Sequence, residues 1–300
     1  MPDFSRFLPT TFLAALLPTW AIAPHDTAAI KFQSGTVHTC EVPFEFKGEK
    51  IVVRAAIGKL QNLSFLIDTG SAYSMVDGRV VKKLDLKQEE RQYRLMAFGK
   101  TTKAVQVLIR GLRMGPVLTS IRCFVVDLSA WEVDGVIGLD LLAHRDFLIN
   151  VSTQEIVRNR NFTIDFGAHT LRFGWEDSLE SEIPLEVDPL QICIAAKILG
   201  KPVRLAVDTG AAQTNLFRSQ DWVDRLPALA IKRVFGISGA ARQREVLLPE
   251  LELGPSTWKN LSAIVLGALG QPSDGVLAIA QLNFKILHFD FENNRLSWKR

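Results

Sequence analysis

A chain of 300 residues, 47% of them hydrophobic, has material for two packed domains of ordinary size, which excludes a disordered or low-complexity protein. Its 35 Lys and Arg stand against 32 Asp and Glu, and the basic residues are scattered rather than gathered in a stripe with aromatics, so nucleic acid is excluded as a partner. Three cysteines, Cys40, Cys123 and Cys193, are too few and too far apart for a disulfide framework; at most one bridge can form, and none of them sits in a metal-ligand spacing.

In chain order, the apolar run "FLPTTFLAALLPTWAIA" follows Arg6 and ends in Ala21-Ile22-Ala23, a small-x-small pattern. Residues 1–23 read as a signal peptide, with a retained N-terminal membrane anchor as the alternative. Either reading places the bulk of the chain outside the cytosol, periplasmic or secreted. Residues 24–45 form an N-terminal arm, and beyond them the chain repeats itself. "LIDTGSA" at 66–72 returns as "AVDTGAA" at 206–212, and Asp134-Gly135-Val136 returns as Asp274-Gly275-Val276 at the same shift of 140. "LRMGP" at 112–116 returns as "LELGP" at 251–255, while "TIDFGAHTLRF" resembles "LHFDFENNRLSW" at a smaller shift of 125. The smaller shift leaves about fifteen extra residues within Ala143 to Asn159, expected as a surface insertion on the first copy.

Each copy has the same coarse order: an apolar hairpin into Asp-Thr-Gly, a helical stretch, a Gly-containing hairpin, more strands, then Asp-Gly-Val and a short helix. Runs such as "KIVVRAAIGKLQNLSFLI" and "LQICIAAKILGKPVRLAV" are rich in Val, Ile and Leu and broken by Gly, Pro or Asn, which predicts a mostly β protein. The lobes are expected over 46–175 and 189–300, with the charged stretch 176–188 as linker. Four N-x-[ST] sequons begin at Asn62, Asn150, Asn161 and Asn260; they matter only in a host that glycosylates exported proteins. No H-E-x-x-H, P-loop or G-x-G-x-x-G occurs, and the histidines stand apart, so neither metal nor cofactor is expected.

A single Asp-Thr-Gly after a buried strand is ordinarily a turn with an Asx hydrogen bond. Two of them at matched positions in related lobes mean more, because pseudo-twofold pairing would bring Asp68 and Asp208 face to face. Two carboxyl groups in contact cannot both ionise easily and hold one proton between them. Such a pair is a base and an acid at once, suited to activating water against an amide, with no metal and no covalent nucleophile required.

With "DTG" twice and "DGVIG" at Asp134 to Gly138, the chain resembles an aspartic protease over most of 45–300, and two fused retropepsin-like units more than a large pepsin lobe pair. The resemblance implies two similar closed-barrel-like lobes with pseudo-twofold symmetry and an interlobe cleft, a catalytic pair Asp68 and Asp208, and a peptide or protein substrate with apolar residues beside the cut. It also implies loops supported by Thr69, Gly70, Ser71, Thr209 and Gly210, each threonine hydrogen-bonding to the opposite loop, and a hairpin flap. Flap candidates are Phe98 and Gly99 in the first copy and Gly236, Ser238 and Gly239 in the second, although an ordinary surface hairpin would also carry glycine at its tip. Because both halves lie in one chain, the expected active form is a monomer.

Two departures from the pattern stand out. Ala278 occupies the place of Gly138, and Ser71 faces Ala211 across the repeat. A Ser71 hydroxyl donating to Asp68 would make Asp68 the ionised member and Asp208 the holder of the proton. Two rival readings remain at this level: a catalytically silent peptide-binding protein on the same fold, and a pair of β-barrels with both carboxylates in solvated turns.

Overall fold

The computed structural model describes residues 39–300, apart from 98–99, 144–147, 153–154, 158–160, 175–178, 180, 219–220, 237–238 and 268–271. The signal or anchor segment 1–23 and the arm up to residue 38 lie outside the described residues.

In lobe one, β1 (Cys40–Lys47), β2 (Lys50–Ile57) and β3 (Leu60–Ile67) run as hairpins into the first Asp-Thr-Gly. In β1 the apolar Val42 and Phe44 point inward and Glu41 and Glu45 outward, the period-two signature of a half-buried strand. β4 (Met75–Asp77) leads into α1 (Gly78–Lys83), whose first turn is capped by the Asp77 carboxylate accepting from Arg79 N. There follow the hairpin β5 (Gln88–Ala97) and β6 (Lys100–Met114), then β7 (Val117–Val126), β8 (Gly135–Ile137) and α2 (Leu139–Leu142). β9 (Leu148–Asn150), β10 (Glu155–Val157), β11 (Asn161–Asp165) and β12 (Thr170–Phe173) complete the copy. Pairings β2 to β3, β3 to β8, β8 to β4, β4 to β7, β7 to β6 and β6 back to β2 close a six-stranded barrel. Closure removes the open edges that a flat sheet of these apolar strands would expose.

Lobe two repeats the plan. After β13 (Ser181–Pro184) and β14 (Glu186–Asp188) come β15 (Gln191–Ile198), β16 (Lys201–Asp208), β17 (Thr214–Phe217) and the hairpin of β18 (Ala228–Gly236) with β19 (Gly239–Leu253). β20 (Ser256–Leu266), β21 (Gly275–Ala278), β22 (Ile286–Asp290) and β23 (Arg295–Lys299) finish the chain. The ring β15, β16, β21, β17, β20, β19 closes a second six-stranded barrel.

The closing hairpins of the two copies, β11 with β12 and β22 with β23, do not end their own barrels. They pair with each other through β11 and β22, joined by β1 at one edge and β13 at the other, in an antiparallel sheet shared by both lobes. Thr163 pairs with His288, its own counterpart in the repeat, so the local twofold passes through that pair. Both are buried and bonded to each other, Thr163 Oγ1 to His288 Nδ1, at 2.7 Å. Phe162 and Phe289 stack beside them with ring centroids 4.5 Å apart. Truncating either ring to alanine would cost about 3–5 kcal/mol, the usual loss for a buried phenylalanine.

The extra residues of lobe one are not a loop lying on its surface. β9 and β10 form a hairpin whose inner strand pairs with β7, and Leu148 and Val157 are fully buried. Asn150 and Asn161, the first residues of two sequons, are buried in strands, whereas Asn62 in β3 and Asn260 in β20 are exposed and adopt a left-handed φ of 58°. Within the expected linker, β13 joins the shared sheet and β14 pairs with β15, which buries Ile183 and Leu185.

Candidate active site

β8 lies parallel to β3 and aligns Ile137 with Ile67; β21 lies parallel to β16 in the same way. The aspartate of each Asp-Gly-Val fixes this register. Asp134 Oδ2 accepts Ser64 N at 2.9 Å while Asp134 N donates to Ser64 O at 2.8 Å. Asp274 makes the matching pair with Arg204 at 2.9 and 2.7 Å. These aspartates are therefore strand locks, and the other two are left to face each other.

The threonines bind across the twofold. Thr69 Oγ1 donates to Val207 O at 2.8 Å and accepts Thr209 N at 3.1 Å; Thr209 Oγ1 donates to Ile67 O at 2.8 Å and accepts Thr69 N at 3.1 Å. Both threonines are buried, so each bond stands in for water that cannot reach the groups. Beside them each glycine admits the opposite carboxyl group. A Cβ built on Gly70 would lie 2.3 Å from Asp208 Oδ2, and one on Gly210 would lie 2.7 Å from the Asp68 carboxyl carbon. Any side chain at either position would push the carboxyl groups apart.

Behind the loops stands a layer that the motifs did not announce. In lobe one Ser74 Oγ accepts Gly138 N at 3.0 Å and donates to Asp140 Oδ1 at 2.7 Å, while Leu139 N donates to Ser71 O. In lobe two Thr214 Oγ1 accepts Ala278 N at 3.2 Å, and Thr214 N donates to Gln281 Oε1 at 2.8 Å. Ser74 and Thr214 are related by the same shift of 140, which is the signal that could have found them. Gly138 meets its loop so closely that an added Cβ would lie 2.7 Å from Ser71 O. In lobe two the tie runs through the long Gln281 side chain, and the Ala278 methyl is accommodated, fully buried.

Asp68 and Asp208 are brought within hydrogen-bond reach of each other. Burial pushes Asp68 well above the ordinary carboxylate range, and the charge on Asp208 and the hydrogen bond between the two push it further. Burial raises Asp208 as well, opposed by the N–H groups of Gly210 and Ala211, at 2.7 and 2.8 Å, and by the bond from Asp68. Both carboxyl groups are raised, so the pair holds a proton between them. The expected bond from the Ser71 hydroxyl to Asp68 is not made. That hydroxyl donates to Tyr73 O at 2.8 Å and stays within its own loop, while backbone N–H groups reach both carboxyl groups, Gly70 N to Asp68 Oδ1 at 2.9 Å and Gly210 and Ala211 N to Asp208 Oδ1 at 2.7 and 2.8 Å.

All three cysteines are free and buried, and burial pushes the thiols of Cys40 up to about 12 and Cys193 up to about 11, so neither ionises near neutrality. Among the described residues no three His, Cys, Asp or Glu side chains gather where they could hold a metal ion. Of the flap candidates, Phe98, Gly99 and Ser238 lie outside the described residues; Gly236 and Gly239 pair with each other at the end of the β18–β19 hairpin.

A family model described as aspartyl protease matches residues 53–141 and 194–279, one stretch in each barrel and each containing its Asp-Thr-Gly. The chain belongs to the aspartyl protease family. The two matched stretches of this aspartyl protease run from β2 or β15 through the segment just after Asp-Gly-Val. No curated protein matches it. Among solved structures it is similar to the crystal structure of basic 7S globulin from soybean, at 13% identity over 88% of this chain and 95% of that one, with a TM-score of 0.49.

Proposed function

We propose that this aspartyl protease is an exported endopeptidase, active as a monomer, that hydrolyses peptide bonds with Asp68 and Asp208 and neither metal nor cofactor. The observation that carries the reading is the buried carboxyl pair held by reciprocal threonine bonds and paired glycines. In this reading Asp208 is the base. It takes a proton from water as the water oxygen bonds to the scissile carbonyl carbon, and Asp68 gives its proton to the carbonyl oxygen. Collapse of the tetrahedral intermediate breaks the C–N bond: Asp208 gives its proton to the departing nitrogen, and one hydroxyl of the gem-diol returns its proton to Asp68 as the new carboxylic acid forms, which restores the dyad. Supporting this division, the Gly210 and Ala211 N–H groups reach Asp208 Oδ1 at 2.7 and 2.8 Å, shorter than the 2.9 Å bond from Gly70 N to Asp68 Oδ1.

The test is replacement of each aspartate by asparagine. An amide can neither accept nor deliver the proton, so Asp68→Asn and Asp208→Asn should each lower hydrolysis of a peptide mixture by at least about 100-fold, the lower end of a general acid or base contribution. The same substitutions should stabilise the fold near neutral pH by about 1 kcal/mol. A carboxyl group whose folded pKa is raised holds more protons in the native state than in the unfolded one, so stability falls as pH rises through that window, and an amide escapes the loss. Undiminished turnover by either folded variant would sink the shared-dyad mechanism. A wild-type protein that retains peptides and never cuts them would establish the silent binder instead.

A further inference from the structure

The residue three places after each Asp-Thr-Gly links the active-site loop to the lobe's long hairpin, and the two lobes build that link from opposite chemistry. In lobe one it is Tyr73, 40% exposed, packed edge-on against Phe124 of β7 at 5.4 Å; Tyr93 of the hairpin strand β5 packs on the same Phe124 at 5.3 Å. In lobe two the counterpart of Tyr73 is Gln213. Its Nε2 donates to Glu245 Oε1 of β19 at 2.8 Å and to Ser262 Oγ of β20 at 2.7 Å. Phe124 is replaced by Ile264, each pairing with the residue that starts five places beyond its Gly70 or Gly210. Tyr93 is replaced by Lys232, as the matched pairings Tyr93 with Ala104 and Lys232 with Gln243 show.

Lys232 Nζ lies 2.6 Å from Glu245 and 3.5 Å from Gln213 Oε1. Glu245 is only 6% exposed, covered by its partners, and the bond from Lys232 holds its carboxyl group below the usual range. What this wall leaves exposed is the ammonium group, whose side chain is 46% exposed and keeps one N–H donor beyond the two spent on Glu245 and Gln213. Lobe one presents aromatic rings at the same place. Tyr73 and Gln213 each stand three residues beyond a dyad glycine, so the two walls lie on opposite sides of the local twofold.

We propose that these walls set specificity: the lobe-two wall selects a side chain bearing a carboxylate, seated on Lys232, on one side of the cleaved bond, and the Tyr73–Phe124–Tyr93 wall selects an apolar or aromatic side chain on the other. The proposal rests on the endopeptidase reading for the cut but not for the recognition, since binding alone expresses it. A charge-assisted hydrogen bond is about twice as strong as a neutral one, and a matched acid gains both the bond and the attraction.

The test uses two readouts on the full chain. Wild-type protein digests a diverse peptide mixture, and cut sites are read by mass spectrometry; Asp208→Asn protein is immobilised, and the peptides it retains are sequenced. Expected are Asp or Glu enriched about tenfold at one position on one side of the bond, and aromatic or aliphatic residues on the other, in both sets. Lys232→Ala, which uncovers Glu245, should abolish the acidic preference and turn it toward Lys and Arg, while Lys232→Arg should preserve it. If peptides are cut with no acidic preference, or with a basic one that Lys232→Ala leaves unchanged, the proposal falls and the endopeptidase reading stands. If nothing is cut yet acidic peptides are retained, the endopeptidase reading falls and this one stands. Retention of no peptide by a folded protein overturns both.

Discussion

The two barrels agree most closely where they touch and diverge one layer out. Asp, Thr and Gly are identical in both loops, and the reciprocal threonine bonds repeat within the precision of a tenth of an ångström. Behind them Gly138 with α2 faces Ala278 with a single 3-10 turn at Ile279–Gln281. The buried Asp77, which caps α1 and also accepts Leu128 N, has Phe217 as its counterpart. Where β4 ends in a polar cap the second lobe simply buries a ring. The lesson is that residues on the twofold serve two loops at once, so one change there damages both; residues behind a loop serve one lobe and are free to find another solution.

That division can be broken most severely at the threonines. Thr69→Val keeps the shape but leaves Val207 O without its donor and Thr209 N without its acceptor, both in a dry interface. Each unpaired group should cost about 1–3 kcal/mol, and Thr209→Val should cost nearly the same. Urea unfolding of the two variants measures this. A difference of several kcal/mol between them would mean that the loops are not equivalent on the axis. Peptide hydrolysis should fall in both, because the carboxyl groups lose the frame that holds them together.

One layer back the lobes should respond differently. Gly138→Ala places a methyl 2.7 Å from the backbone at Ser71 and Tyr73 and should cost about 1–3 kcal/mol, the usual penalty of overpacking. The reverse change, Ala278→Gly, removes a buried methyl and adds backbone freedom in the unfolded chain, for about 1 kcal/mol. Thermal unfolding compares them, and kcat/KM sharpens the result: Gly138→Ala should reduce it by displacing the Asp68 loop, whereas Ala278→Gly should leave it close to wild type. Equal effects on kcat/KM would show that the extra tie from Leu139 N to Ser71 O does not govern loop position.

What the sequence made legible follows the same line. The facing of Asp68 and Asp208 was readable because a seven-residue neighbourhood carries the chemistry and the repeat states it twice, while the threonine exchange followed from the family resemblance. The β architecture was readable from Val- and Ile-rich runs broken by Gly and Asn. The shared sheet was not, although its two hairpins were recognised as a repeat: nothing local in "TIDF" or "LHFD" says that one strand will pair with the other. The insertion was misjudged because its polar stretches hide two core anchors, Leu148 and Val157, too few to produce a period. The Lys232–Glu245–Gln213 link was invisible because its members lie on three elements and meet only after both barrels close.

The smallest expected effect tests the remaining difference between the loops, Ser71 against Ala211. The Ser71 hydroxyl bonds to Tyr73 O, and the residue is half-buried, so water can take over that carbonyl in Ser71→Ala at a cost of about 0.5–1 kcal/mol. The first ionisation of the dyad sets the acid limb of kcat/KM against pH, since the enzyme gains its base as that proton leaves. Burial and the neighbouring carboxyl group raise it, and the backbone N–H groups on both aspartates lower it; none of these passes through the Ser71 side chain. The acid limb of Ser71→Ala should therefore coincide with that of the wild type. A donor to the charged form would act differently, because removing it makes ionisation harder and moves the limb to higher pH. A measured movement in that direction, in a folded and active variant, would mean that the hydroxyl turns to a carboxylate in the free enzyme, and that the two loops differ at the dyad itself.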